Sequence, residues 1–428
     1  MQFLQLILAS ALAIAVASPA LGQGSPAPIV ADSALQSLVV EALARNPTVA
    51  QRQAAVTAAT LRIRPAGTLP DPMFEVGTID PFQKFHGFSQ IQFELVQEIP
   101  WPGLLGAHAS MARAVETQAR AGVGSARREV TSAVAAAYYR LRYLLTALRT
   151  IADQRGLLDA AAQLSMTRYS TGAAPQSDPL QAKLARDRLD GERFALQGEY
   201  AAAVAALNAL RDRGPTDSLA ITTLDAASIR TSVSALPATD SLLAAAVAAH
   251  PRIAARRAAL AQAGRQVQVE RLQGRPDFFL RFDYQHNGSV PGFKVPDYPS
   301  AFFGVRLPVW AWRKQNRLAD AARADSTAAA AEFHDTEAQL RREVVETAAQ
   351  VEASRRRLEL LVDRILPAAQ ATVESVLRSY QVGRAEFLTL LSVEDARYRA
   401  ELEAVAVAAD YQAQLVMLRQ LTAEEGQP

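Results

Sequence analysis

The sequence predicts a mainly α-helical, internally duplicated protein with a small membrane β part. Three observations carry this. Most of the chain is Ala, Leu, Arg, Glu and Gln, the strong helix formers. Two halves repeat each other at a period of about 210 residues. Of 28 aromatic residues, six lie between Phe74 and Trp101 and ten between Phe278 and Trp312, in windows that alternate with period two.

Taken from the start, Phe3 to Leu21 is uncharged and weakly apolar, and Ala20-Leu21-Gly22 has the small-x-small form of a cleavage site. Residues 1–22 therefore read as a secretory signal peptide. No Lys or Arg precedes Arg45, so only the terminal amine supplies positive charge, and a single membrane anchor is the competing reading. The chain has no cysteine, which removes disulfides, thiol catalysis, iron–sulfur clusters, cysteine zinc sites and an acylated cysteine anchor. With 45 basic and 43 acidic residues and a net charge of +2, it lacks the positive field of a nucleic-acid binder.

The halves are residues 23–212 and 241–422, joined by a linker at 213–240 that holds Gly214-Pro215 and Pro237; 423–428 is a tail. Leu43-Ala44-Arg45-Asn46-Pro47 parallels Val247-Ala248-Ala249-His250-Pro251. Pro70-Asp71 parallels Pro276-Asp277, Ile99-Pro100 parallels Leu307-Pro308, and Tyr169-Ser170-Thr171-Gly172 parallels Tyr380-Gln381-Val382-Gly383. Each half runs helix, β-hairpin, very long helix, shorter helix. The hairpins fall at about 72–100 and 276–309, and the long helical hairpins at about 102–212 and 312–422.

In the second half Val344, Ala348, Val351, Leu358, Val362, Ile365, Val373, Val376 and Tyr380 form a narrow coiled-coil-like seam, interrupted by Arg355, with Pro367 kinking or breaking the helix near Leu366. Helices of this length reach about 105 Å at ~1.5 Å per residue, which makes a rod and not two or three compact domains.

In the aromatic windows Ile91, Phe93 and Leu95 alternate with Gln90, Gln92 and Glu94, and Phe278, Leu280, Phe282 and Tyr284 with Phe279, Arg281, Asp283 and Gln285. One apolar and one polar face per strand suits a membrane barrel; a half-buried soluble sheet is the other reading. Four strands cannot close a barrel, whose smallest membrane form has about eight, so closure requires copies of the chain, and three copies give about twelve strands around a water-filled pore.

These features resemble the TolC-like outer membrane efflux proteins, the trimeric channel-tunnels of bacterial tripartite pumps, over almost everything from Asp32 to Thr422. Pro70-Asp71-Pro72 and Gln97-Glu98-Ile99-Pro100-Trp101-Pro102-Gly103 are similar to the segments flanking the first barrel hairpin, above all in the heavy-metal CusC/CzcC-like branch. Pro100, Trp101, Pro102, Gly103 and Pro308 mark the passage from strand to helix.

The resemblance implies a homotrimer in the outer membrane, in contact with its lipid, whose helical tunnel extends into the periplasm. It implies as partners a periplasmic adaptor and an inner-membrane pump of the RND type. The tips Tyr169, Thr171, Gly172 and Ala173, and Tyr380, Val382, Gly383 and Arg384, are then adaptor contacts. Asp178 matches a family aspartate that latches neighbouring helices, with Tyr380 as its expected hydrogen-bond partner. The acidic aperture positions of the second half are here Thr389 and Ser392, with Glu386, Glu394 and Asp395 nearby to supply rings of negative charge.

No catalytic or cofactor motif accompanies these features. His86, His108, His250, His286 and His334 are scattered, and no nucleophile elbow, Walker loop or dinucleotide fingerprint occurs; Gly122-Val123-Gly124 sits inside a helical stretch. The expectation is a passive channel without enzyme activity, cofactor, resident metal or nucleic-acid partner. Metal-cation efflux is preferred on the Pro100 to Gly103 resemblance. A drug-efflux or type I secretion outlet of the same fold stays open, as does a periplasmic coiled-coil scaffold that never inserts.

Overall fold

The computed structural model describes residues 32–79, 90–233, 235–287 and 296–422. The signal-peptide reading, most of both hairpin connections and the tail at 423–428 lie outside the described residues.

Each half opens with a short helix that hands over to a longer one through a capped proline. In the first, α1 (Ser33–Arg45) passes to α2 (Pro47–Ala66), and in the second α6 (Thr239–Ala249) passes to α7 (Pro251–Gln273). Asn46 Oδ1 accepts the Thr48 N–H at 3.0 Å and His250 Nδ1 accepts the Arg252 N–H at 3.1 Å, with proline at the first helical position in both. The repeat thus preserves a capping function while changing the residue that performs it.

The strands β1 (Met73–Ile79), β2 (Gln90–Ile99), β3 (Asp277–Asn287) and β4 (Tyr298–Arg306) form one antiparallel sheet in the order β1-β2-β3-β4. The two hairpins join through β2 and β3, with Phe93 opposite Tyr284 and Leu95 opposite Phe282. That register places Phe74, Val76, Ile91, Phe93, Leu95, Phe282, Tyr284, Phe303 and Val305 on one face, where most remain exposed. The other face carries Glu75, Glu94, Glu98, Arg281, Asp283 and Arg306. Arg306 pairs with Glu98 at 2.5 Å, and the Arg281 guanidinium lies 4.7 Å over the Phe302 ring.

Phe279, an aromatic on the polar face, lies across Gly304: a Cβ built there meets the Phe279 ring at 2.0 Å. Only a glycine lets this ring lie flat on the neighbouring strand. The outer sides of β1 and β4 pair with no strand among the described residues.

The long helices follow. α3 (Leu104–Ser170) is one helix of 67 residues, about 100 Å at ~1.5 Å per residue, and reverses into α4 (Ser177–Leu210). Its counterpart is α8 (Gln315–Leu360, 46 residues), a π-helical turn Leu361–Ile365 of 5 and α9 (Leu366–Gln381) of 16, which run end to end to the same 67. α9 reverses into α10 (Phe387–Thr422).

The expected disturbance near Pro367 is this π turn: the missing proline N–H and the ring's demand for space are met by one extra residue in the preceding turn. The extra residue corrects the seam. Ile365 is turned out to solvent, while Leu361 is buried and Leu366 packs on the core in its stead. Val344, Val351, Leu358, Val373 and Tyr380 are buried as the spacing predicts, and Arg355 bridges Glu352 and Glu359 along the helix surface, at 2.7 Å to each.

The main core lies mid-rod, where Val134, Tyr138 and Leu141 of α3 meet Val344, Val351 and Leu358 of α8 and Ala404, Ala408 and Leu418 of α10. Asp32 ties the start of α1 to it, accepting from Tyr138 Oη at 2.7 Å and Arg142 Nη1 at 2.9 Å. The segment 213–240 is more than a linker. It contains α5 (Ala226–Ser232), buries Leu224 and Ile229 in the core, and pairs Arg230 with Asp363 of the π turn at 2.8 Å. No described helix is long and apolar enough to cross a membrane.

Candidate functional site at the helix tips

The two helix reversals stand side by side. In each the residue with positive φ is glycine, Gly172 at +73° and Gly383 at +75°, where an L side chain costs about 1–2 kcal/mol. The bonding repeats too. Gly172 N–H donates to Tyr169 O at 3.0 Å and Ala173 N–H to Arg168 O at 2.8 Å; Gly383 N–H donates to Tyr380 O at 3.0 Å and Arg384 N–H to Ser379 O at 2.8 Å. The duplication read from the sequence is thus a duplication of turn geometry.

What joins the tips is Arg168, in the last turn of α3. Its Nη1 donates to the Tyr380 carbonyl on the other tip, its Nη2 to Ala173 O on its own at 3.3 Å, and the guanidinium lies 4.6 Å over the Tyr380 ring. Tyr380 is 2% exposed and packs against Phe387 at 5.5 Å, in a cluster with Ala182 and Leu390. Its hydroxyl donates to Asp178 Oδ2 at a long 3.5 Å, the link expected from the sequence. Burial, reinforced by the Asp178 charge, raises the Tyr380 phenol above its ordinary pKa, so it stays a donor.

The other site residues divide by exposure. Tyr169, Thr171, Gly172 and Ala173 on one tip and Val382, Gly383 and Arg384 on the other are exposed at the same end of the rod. Tyr380 is not: its burial removes it from the surface read as adaptor contact, and its hydroxyl instead reaches Asp178. Glu386, Thr389 and Ser392 are exposed near the start of α10, with the Ser392 hydroxyl turned onto Thr389 O at 2.8 Å. Glu394 and Asp395 are matched by Arg397 at 3.2 Å and Arg399 at 2.9 Å, so they add little free negative charge; Glu386 has no ion pair among the described residues.

At the far end, Pro100, Trp101, Pro102 and Gly103 turn β2 into α3. The Trp101 N–H donates to Asp277 Oδ1 at 3.1 Å and its ring stacks on Phe278 at 5.8 Å. Pro308 opens a longer passage, and α8 begins at Gln315, later than the expected 312, because bonds onto Pro308 O and Trp310 O close a tight turn first. Among the described residues no group of three or more His, Asp or Glu is placed to hold a metal ion.

Sequence reading missed Arg168. The repeat places it opposite Ser379, so nothing in the duplicated pattern marks it, and a lone arginine near a helix C-terminus has an ordinary role against the helix dipole.

The fold built from this sheet and these paired helical hairpins is similar to that of solved outer-membrane channels. The family model of the outer membrane efflux proteins matches residues 242–424. Across nearly the whole chain the fold is similar to the solved outer-membrane channel OprN (18% identity, 93% of this chain and 91% of that one, TM-score 0.79). It is similar also to the outer membrane protein VceC of Vibrio cholerae (18%, 92% and 96%, 0.75) and to CusC (15%, 92% and 93%, 0.80). None of the curated proteins matches by sequence. The resemblance to the TolC-like outer membrane efflux proteins thus holds, in the second half by sequence and over the chain by fold.

Proposed function

We propose that this protein is the outer-membrane channel of an efflux system, closing a barrel from three copies of its sheet and conducting solute passively through the helical tunnel. The observation that carries the reading is the inverted sheet. Its apolar face is exposed, its polar face carries paired charges, and both edge strands are unpaired among the described residues, an arrangement costly in water and suited to lipid outside and a wet pore inside. Several solved proteins of similar fold are named as outer-membrane channels, which supports carrying that role here.

The tips form the closed periplasmic aperture. Asp178, Tyr380 and Arg168 hold it shut, Glu386, Thr389 and Ser392 lie along the opening, and Tyr169, Thr171, Gly172, Ala173, Val382, Gly383 and Arg384 meet a periplasmic adaptor fed by an inner-membrane pump of the RND type. The cargo is cationic, metal ions in the first place. On the polar face of the described strands Glu75, Glu94, Glu98, Asp277 and Asp283 outnumber Arg281 and Arg306, an excess that threefold symmetry multiplies.

The test is fractionation joined to a susceptibility assay. The protein sediments with outer membranes as a trimer in detergent, and its loss sensitises cells to metal cations more than to organic drugs. A wholly soluble protein overturns the channel reading, and unchanged metal tolerance with lost drug tolerance overturns the cargo.

A further inference from the structure

The eight residues that turn β4 into α8 do something their first-half counterparts do not. The turn is held by its own backbone: Ala311 N–H donates to Pro308 O at 2.8 Å, Arg313 and Lys314 N–H both to Trp310 O at 3.0 Å, and Asn316 N–H to Ala311 O at 2.8 Å. That frame pushes Val309 (68% exposed), Trp310 (64%) and Trp312 (62%) outward. At the equivalent junction of the first half Trp101 is instead laid on Phe278. Protrusion is therefore a property of this turn and is not imposed by the strand-to-helix passage.

Two further features say what covers it. Phe303 and Val305 lie on the apolar face of β4, and Leu307 and Val309, just past its end, are exposed apolar side chains too, so the tryptophans stand where the lipid-facing band ends. Beside them are Arg313, Lys314 and Arg317, and the sequence holds no acid between Arg306 and Asp320 in a chain whose overall charge is nearly balanced. Arg313 lies 5.1 Å over the Trp312 ring, and neither Arg313 nor Lys314 has an ion pair among the described residues. Apolar rings at an interface depth, rimmed by unpaired cations, complement an acyl chain beneath an anionic headgroup.

We propose that the turn around Trp310, Trp312, Arg313 and Lys314 is a binding site for anionic phospholipid in the membrane leaflet facing the helices. This rests on the reading that the sheet inserts as a barrel. The site anchors the junction of barrel and rod in a chain without cysteine to acylate.

The test uses the full-length protein with Trp101→Phe, which leaves only Trp310 and Trp312 to report. In vesicles of phosphatidylcholine brominated near the glycerol, their emission is quenched. A control, Phe303→Trp with all three native tryptophans replaced by Phe, is quenched by deeper bromines. In native mass spectrometry, Arg313→Gln with Lys314→Gln weakens binding of phosphatidylglycerol roughly thirtyfold, about fivefold per cation, and leaves phosphatidylcholine unchanged. If the Phe303→Trp control is quenched while Trp310 and Trp312 are not, a second copy covers the turn and the lipid site is refuted. Equal phosphatidylglycerol binding by wild type and variant also refutes it. If the control itself is not quenched, the barrel reading fails and the lipid site falls with it.

Discussion

Arg168 and Tyr380, 212 residues apart, join the two tips: the guanidinium donates to the Tyr380 carbonyl and lies 4.6 Å over its ring. Tyr380 in turn reaches Asp178, so a cation, a buried phenol and a carboxylate from three helices close one junction.

Arg168→Ala removes two charge-assisted hydrogen bonds and a cation–π contact, together about 1–3 kcal/mol, which shifts a closed–open equilibrium roughly tenfold. Single-channel recording is expected to give a higher mean conductance for Arg168→Ala and for Asp178→Ala. Arg168→Lys falls between, since it keeps the charge over the ring and loses the planar fork. Conductance identical to wild type in both alanine variants contradicts the latch.

His250 makes a pH prediction. Burial, then the nearby Arg252 and Arg128 charges, hold its pKa down to about 3, against an ordinary 6.5. Between these values the unfolded chain binds a proton that the folded chain does not. Stability is therefore full above pH 6.5 and falls as pH drops through the window towards 3, by up to about 1.4 kcal/mol per unit. Asn46 caps the equivalent helix without titrating, so His250→Asn keeps the cap and flattens the melting temperature against pH. An unchanged acid slope shows that His250 is not its source.

Gly304 is fixed by the ring upon it. Gly304→Val is expected to cost about 1–3 kcal/mol through overpacking and to lower the heat stability of the assembled protein on a denaturing gel. Adding Phe279→Ala recovers most of the loss. If the double variant is no better than Gly304→Val alone, the steric account is wrong.

Legibility in the sequence followed physical origin. The tip glycines and the alternating strands were readable because each is set by local chemistry: a positive φ at a helix reversal, a period of two. Asn46-Pro47 and His250-Pro251 were legible only as matching positions of the repeat, and their capping bonds came with the structure. The π turn was only half readable, because Pro367 signals a disturbance but not that one extra residue will turn Ile365 out and Leu366 in. Arg168 was not readable, since its role exists only once α3 and α9 lie together. α5 was hidden in a stretch of turn residues, and its stability comes from burying Ile229 and pairing Arg230, not from helix propensity.

The central claim is that this chain forms a water-filled pore through the outer membrane, and recording from the purified protein in a planar bilayer tests it most directly. Discrete conductance steps are predicted, with a reversal potential under a salt gradient that favours cations and loses that preference when Glu75, Glu94 and Asp283 are replaced by their amides. A protein that leaves the bilayer silent, wild type and Arg168→Ala alike, contradicts it.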